Sequence, residues 1–177
     1  MSALEHAGDA APDLIVPIVG FRQWRLVAGE FTSMYDRALW PGACITASCD
    51  RGHAPDEVPA KDCSCGVYAY YDPCPRTASS ATPDLIGGAV VVWGRIEAHI
   101  YGMRAKHARI VAVELPMSRW RKRRAVIEAA ERVGVPVVGH RALKAVALEH
   151  GAVLQPKLRP KKTLTRAANV WSRNGPA

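Results

Sequence analysis

The sequence predicts an α+β domain: a small antiparallel sheet or partly open barrel, a zinc-clamped loop and two C-terminal helices. Three observations carry this expectation. Runs of β-prone residues separated by turn signals fill the chain up to residue 115. Two helical patterns, each followed by a glycine, occupy residues 118–150. Between the strands, five cysteines and one histidine crowd into the 31 residues from Cys44 to Cys74. With 177 residues, 49% of them hydrophobic, the chain has enough apolar surface for one domain with a real core. Its 13 Pro and 14 Gly imply short elements and many loops. The expected plan is a flexible lead over 1–12, a single domain over 13–154 and a basic tail over 155–177. Within that domain lie the zinc-binding loop 44–74, a hairpin 89–115 and helices over 118–150.

Taken in order, Leu14-Ile15-Val16 is a short strand candidate ending at Pro17. Residues 20–27 and 31–35 form a hairpin around Ala28-Gly29-Glu30. Trp40-Pro41-Gly42 breaks the chain ahead of the cysteines, and residues 66–71 follow them as a strand. Residues 72–84, with Pro73, Pro75 and Pro83, read as a loop. The clearest β signal is the pair 89–101 and 105–115. If Gly102-Met103-Arg104 is the turn, Glu97 faces Arg109 and His99 faces His107, an opposite-charge pair supporting the register. Gly94 within the first of these strands signals a bulge. Pro116 ends the sheet, and Ser118 caps a helix over 119–133 that Gly134 stops. Trp120, Val126, Ile127, Ala130 and Val133 give it an apolar side. Residues 135–138 are extended. A second helix over 140–150 turns Leu143, Ala147 and the aliphatic part of Lys144 inward.

The densest part of the cysteine segment reads Cys49-x3-His53-x9-Cys63-Ser-Cys65-Gly66. Four soft ligands this close, in a chain without an export signal, point to a metal before they point to disulfides. Thiolates and imidazole suit zinc, and a closed four-ligand site needs no redox chemistry, so a structural Zn2+ is expected on Cys49, His53, Cys63 and Cys65. Gly66 frees the backbone to turn both sulfurs inward. Cys44 and Cys74 are the substitute ligands. The alternatives are reduced thiols behaving as small hydrophobes, or disulfides. A catalytic metal would need an open position with Asp56 or Glu57 as base. The nucleobase-deaminase signature fails on spacing, because His53 is followed by Ala54-Pro55-Asp56 and Pro73-Cys74-Pro75 has no second cysteine. Phosphate-binding loops, nucleophile elbows and dinucleotide fingerprints are absent from the sequence. The chain is therefore expected not to be an enzyme.

Charge is unevenly spread. Residues 1–115 hold 10 Lys/Arg against 13 Asp/Glu, and residues 116–177 hold 14 against 3, a net of +11. Such an asymmetry suggests that the C-terminal third meets a polyanion or an acidic protein face, the plain alternative being a solvated basic surface. Arg119, Arg121, Lys122, Arg123 and Arg124 stand in the first turns of a helix, where the peptide dipoles disfavour cations. An anion offsets that cost. Trp120 either anchors the helix in the core or stacks on a base. Lys157, Arg159, Lys161, Lys162 and Arg166 extend the track. A helix-turn-helix reading of residues 130–143 is poor, because Pro136-Val137-Val138-Gly139 starts a recognition helix badly; strand–helix–strand–helix packing on the sheet is preferred. No apolar run reaches the roughly 20 residues that span a bilayer, and the N-terminus lacks a signal-peptide pattern. Neither a membrane partner nor an exported location is therefore expected, and the cytoplasm is.

The order Cys…His53…Cys63-x-Cys65-Gly66-x-Tyr68-Ala69, then Trp93-Gly94-x4-His99-x2-Gly102-x-Arg104-Ala105, resembles a group of small actinobacterial and actinophage proteins over roughly residues 20–160. The resemblance carries no activity with it. It implies a phage or mobile-element origin, and with it a protein that binds a host protein. The functional expectation is a non-enzymatic, zinc-stabilised nucleic-acid-binding or nucleoprotein-associated accessory factor. Its candidate contacts are Arg119, Trp120, Arg121, Lys122, Arg123, Arg124, Lys161 and Lys162. The alternative is a protein-binding module, of the kind that inhibits or modulates a host replication or transcription protein.

Overall fold

The computed structural model describes residues 16–34, 38–73, 85–117 and 120–160. The leading residues 1–12, the strand candidates Leu14 and Ile15, Cys74, the cap Ser118, Arg119, and the tail cations Lys161, Lys162 and Arg166 lie outside them. The fold is α+β and dominated by sheet: β1 (Ile18–Val27), β2 (Glu30–Ser33), β3 (Cys44–Thr46), β4 (Val67–Tyr70), β5 (Leu85–Ala98), β6 (Gly102–Glu114), α1 (Trp120–Arg132), β7 (Val137–Val138), α2 (His140–Leu148) and β8 (Ala152–Val153).

Among the described residues eight strands join one sheet, larger than the small antiparallel sheet the sequence suggests. β1 pairs with β5 and β4, and β6 pairs with the same two strands, so these four form a ring. The ring is not a clear barrel, because β1 meets β4 only at Phe21↔Tyr70. The expected first hairpin is present: β1 and β2 join through Ala28 and Gly29, both at positive φ, with Val27 opposite Glu30. Arg22 ties this hairpin to β4. Its guanidinium donates to the Tyr68 carbonyl and to Ser33 Oγ, each at 2.6 Å, and lies over the Trp40 ring.

The long hairpin β5–β6 has another register from the one expected. Glu97 faces Arg104 rather than Arg109, and His107 faces Trp93 rather than His99. The turn lies at residues 99–101, and Gly102 begins β6 opposite Tyr70. A side chain at Gly102 would strike the Ala69 carbonyl, so this glycine serves a close strand approach and not a turn. The predicted bulge at Gly94 is real: the register shifts between Trp93 and Ile96.

The β6–α1–β7–α2–β8 order bears out strand–helix–strand–helix packing. β7 runs parallel to β6 (Val113↔Val137) and β8 parallel to β1. A strand hydrogen-bonded into the sheet therefore separates the two helices, as a helix-turn-helix does not allow. One side of the sheet buries Trp24, Phe31, Trp40, Val90, Val92 and Ile110 with Val126, Ala129 and Ala130 of α1. The other buries Val19, Phe21, Val91 and Val111 under Leu143 and Ala147 of α2. Lys144 is exposed and ion-paired with Asp72 at 2.8 Å, so it does not line the inner face. At the start of the segment expected as a tail, Pro156–Leu158 form a short 3-10 turn. Arg159 donates twice to the Leu154 carbonyl, at 2.9 and 3.1 Å, and its guanidinium lies 4.1 Å from the Tyr71 ring centre.

Candidate metal centre and basic helix

The loop between β3 and β4 carries all four expected ligands to one point. Cys49 and His53 flank a turn at Gly52, and Cys63 and Cys65 lie just ahead of β4. Their ligand atoms all fall within 4.8 Å of one another. Cys49 Sγ is 3.0 Å from His53 Nδ1 and 3.6 Å from Cys63 Sγ. Four ligands placed tetrahedrally at a zinc–sulfur distance of about 2.3 Å stand about 3.8 Å apart, so the sulfur spacing matches a shared ion. The same spacing far exceeds a disulfide bond of about 2.05 Å, and the described cysteines are all free. Cys44 is exposed on β3 opposite Arg109 and is not part of the group.

The Cys63-Ser64-Cys65 knuckle is framed by hydrogen bonds to its backbone and to a sulfur. Ala60 N–H donates to Cys65 Sγ at 3.3 Å, and Tyr68 Oη donates to the Ser64 carbonyl at 2.8 Å. Gly66 sits at φ +115°, and a Cβ there would press on Pro59 and on Arg104. Arg104, 3% exposed, is the centre of this frame. Its guanidinium donates to the carbonyls of Cys63, Cys65 (2.9 Å) and Ala60 (3.1 Å), and to Glu97. Three thiolates and a neutral imidazole would leave one negative charge around a divalent ion, and the guanidinium of Arg104, shared with Glu97, lies against the carbonyls of the knuckle that would carry it.

Local electrostatics favour ligation at Cys49. The hydrogen bond with His53 holds its thiol down to about 6, so the thiolate is present at neutral pH. Burial pushes the Cys65 thiol up. Burial also pushes the His99 imidazole down, and Arg104 Nε donates to its Nε2 at 3.2 Å, which requires an unprotonated acceptor. His99 thus belongs to the support of Arg104 and not to a histidine pair; His107 stacks on Trp93 and meets Thr46 Oγ1 through Nδ1.

The arrangement is a closed one. Glu57 turns back to accept from Ala54 N–H at 3.0 Å, the Asp56 backbone carbonyl faces Arg95, and neither carboxylate joins the ligand group. The group can hold a tetrahedral ion and cross-link the loop. The four clustered residues are those the sequence points to, whereas Arg104 as their support is not evident from it. The available signal was an arginine between Met103 and Ala105, both core positions of a strand.

On α1, Arg121, Arg123 and Arg124 are exposed and Lys122 half-buried. Arg124 pairs with Glu128 at 2.7 Å. Trp120 is 65% exposed, which overturns its reading as the core anchor. At about 100° per residue it points some 120° away from Val126, which is buried. Ile127 also leaves the core, at 38% exposed, and Ala129 takes its place. Among the described residues no helix is long and apolar enough to cross a membrane. No protein family, curated protein or solved structure matches this chain.

Proposed function

We propose that this chain is a non-enzymatic nucleic-acid-binding or nucleoprotein-associated accessory factor whose Cys49–His53–Cys63–Cys65 loop is held by a structural zinc ion. One observation carries the binding half of the reading: α1 opens with Trp-Arg-Lys-Arg-Arg, has no acid in its first turn, and turns Arg121, Arg123 and Arg124 to solvent. Cations there oppose the helix dipole at a cost of about 0.3–1 kcal/mol each, which contact with phosphates offsets. Arg119, Lys161 and Lys162 extend the same contact in sequence. Such binding is salt-sensitive and carries little base information. Three sulfurs and one nitrogen suit zinc over magnesium or calcium, which prefer oxygen.

The test is mobility shift with duplex DNA, single-stranded DNA and RNA over a salt series. Micromolar or tighter binding that weakens steeply with salt is expected. The double variant R121E/K122E loses it while its circular dichroism stays that of the parent; unchanged affinity rejects the reading. A second reading, an acidic face of a host protein as partner, draws on Met117, Trp120 and Ile127, which add exposed apolar surface beside the cations. Its mark is a stoichiometric complex with one protein in the absence of nucleic acid.

A further inference from the structure

We infer that Trp120 is a base-stacking platform and that the nucleic acid taken by α1 is single-stranded, an inference that rests on the nucleic-acid reading above. The cations alone do not separate single strands from duplex, since both present phosphates. Trp120 does. Trp120 is 65% exposed, although tryptophan commonly buries most of its surface. Among the described residues the core does not take it: the inward stripe of α1 is Val126, Ala129 and Ala130, with Val133 beyond the helix end packed against the same core.

The surroundings of the ring match a stacking site. Arg121 lies over it, with Cζ 5.6 Å from the ring centre, a cation–π contact that supports the indole on one side. Arg123 and Arg124 follow at i+3 and i+4, on the same outward stripe of the helix. A base resting on the indole therefore has its own backbone phosphates within the reach of these side chains. A duplex hides its base faces within the stack and shows only edges in the grooves, whereas an unpaired base presents a face to any aromatic ring. Ring plus cations is thus complementary to a single strand, DNA or RNA, with little sequence preference.

The experiment uses the full zinc-loaded chain with three probes: a dT oligonucleotide, a U oligonucleotide of equal length, and a duplex. Fluorescence anisotropy gives affinities for the parent, W120A, W120F and R121E/R123E. Because Trp120 is exposed, both Trp120 variants are expected to keep the parent's melting temperature. The inference expects W120A to weaken dT or U binding on the order of 10-fold, W120F to recover most of it, and duplex binding to stay unchanged. The ratio of the dT and U affinities tells which sugar the site prefers. If W120A binds single strands like the parent while R121E/R123E does not, stacking is overturned and the phosphate reading stands. If W120A weakens duplex and single strand equally, the single-strand class is overturned. If the parent binds no probe at low salt, both readings fall together.

Discussion

Around Trp24 the chain is held by burial. Trp24 is fully buried, with its ring centre 5.9 Å from that of Phe31 and 5.4 Å from that of Trp40, and the strands that carry it are paired along most of their length. Over residues 49–65 the balance differs. Only Val58, Pro59 and Ala60 are buried there, and the regular structure amounts to one short 3-10 turn. What holds this loop is the convergence of four ligands and the hydrogen bonds of Arg104. A stretch with so little apolar surface does not recover its ordering entropy by burial, and the proposed ion on Cys49, His53, Cys63 and Cys65 would supply the difference. Burial holds the sheet, whereas the loop depends on the Arg104 hydrogen bonds and on its Cys/His group, the site of the proposed ion.

The largest expected effect separates the two regions. Cys63→Ser abolishes metal binding, because a zinc–thiolate centre supplies most of the folding free energy of the segment it closes. Hydrogen exchange then speeds over 49–65 and stays slow in β1, β5 and β6; uniform acceleration would merge the two regions into one unit. Next comes the reverse cut. Trp24→Ala lowers global stability by about 3–5 kcal/mol, seen as a lower denaturation midpoint. The folded variant still binds one metal ion at the parent's affinity.

Arg104→Ala couples the regions. It leaves the carbonyls of Ala60, Cys63 and Cys65 without their donor and weakens metal affinity about 10–100-fold, measured by competition with a chromophoric chelator. Arg104→Lys does not repair this, since an ammonium lacks the planar fork that reaches three carbonyls and Glu97. Acid acts in a graded way. Cys65, pushed up by burial, takes its proton before Cys49, which is held down to about 6. A lowered pKa favours the thiolate above about 6 and is lost below it, so metal affinity falls steadily from pH 8 to pH 5.5. Flat affinity over that range would contradict thiolate ligation. The smallest effect is on stability at α1: the double variant R121E/R123E replaces cations that oppose the helix dipole with anions that suit it, and is expected to raise stability by roughly 0.3–1 kcal/mol per site, seen as a higher denaturation midpoint.

These differences also set what was legible in the sequence. Ligand spacing is local, and Cys49-x3-His53 with Cys63-x-Cys65 was readable because both pairs lie within one loop. The first hairpin and both helices were readable from turn residues and glycine stops, and the second hairpin from its β-prone runs alone. The register of β5 and β6 was not. Gly102 looks like a turn residue, but its role is set by Ala69 of β4, which is distant in sequence. Arg104 was invisible for the same reason: its partners at 60, 63, 65 and 97 meet only in the fold. Trp120 misled because a tryptophan among arginines reads as the apolar anchor of its helix, until the helical angle to Val126 is taken into account.

The most direct measurement is the metal content of the purified full chain by elemental analysis, alongside native mass spectrometry of the parent and of Cys63→Ser. The account expects one zinc per parent chain, released by chelator together with the order of residues 49–65, and none in the variant. A metal-free parent whose loop is as protected from exchange as the sheet would contradict it.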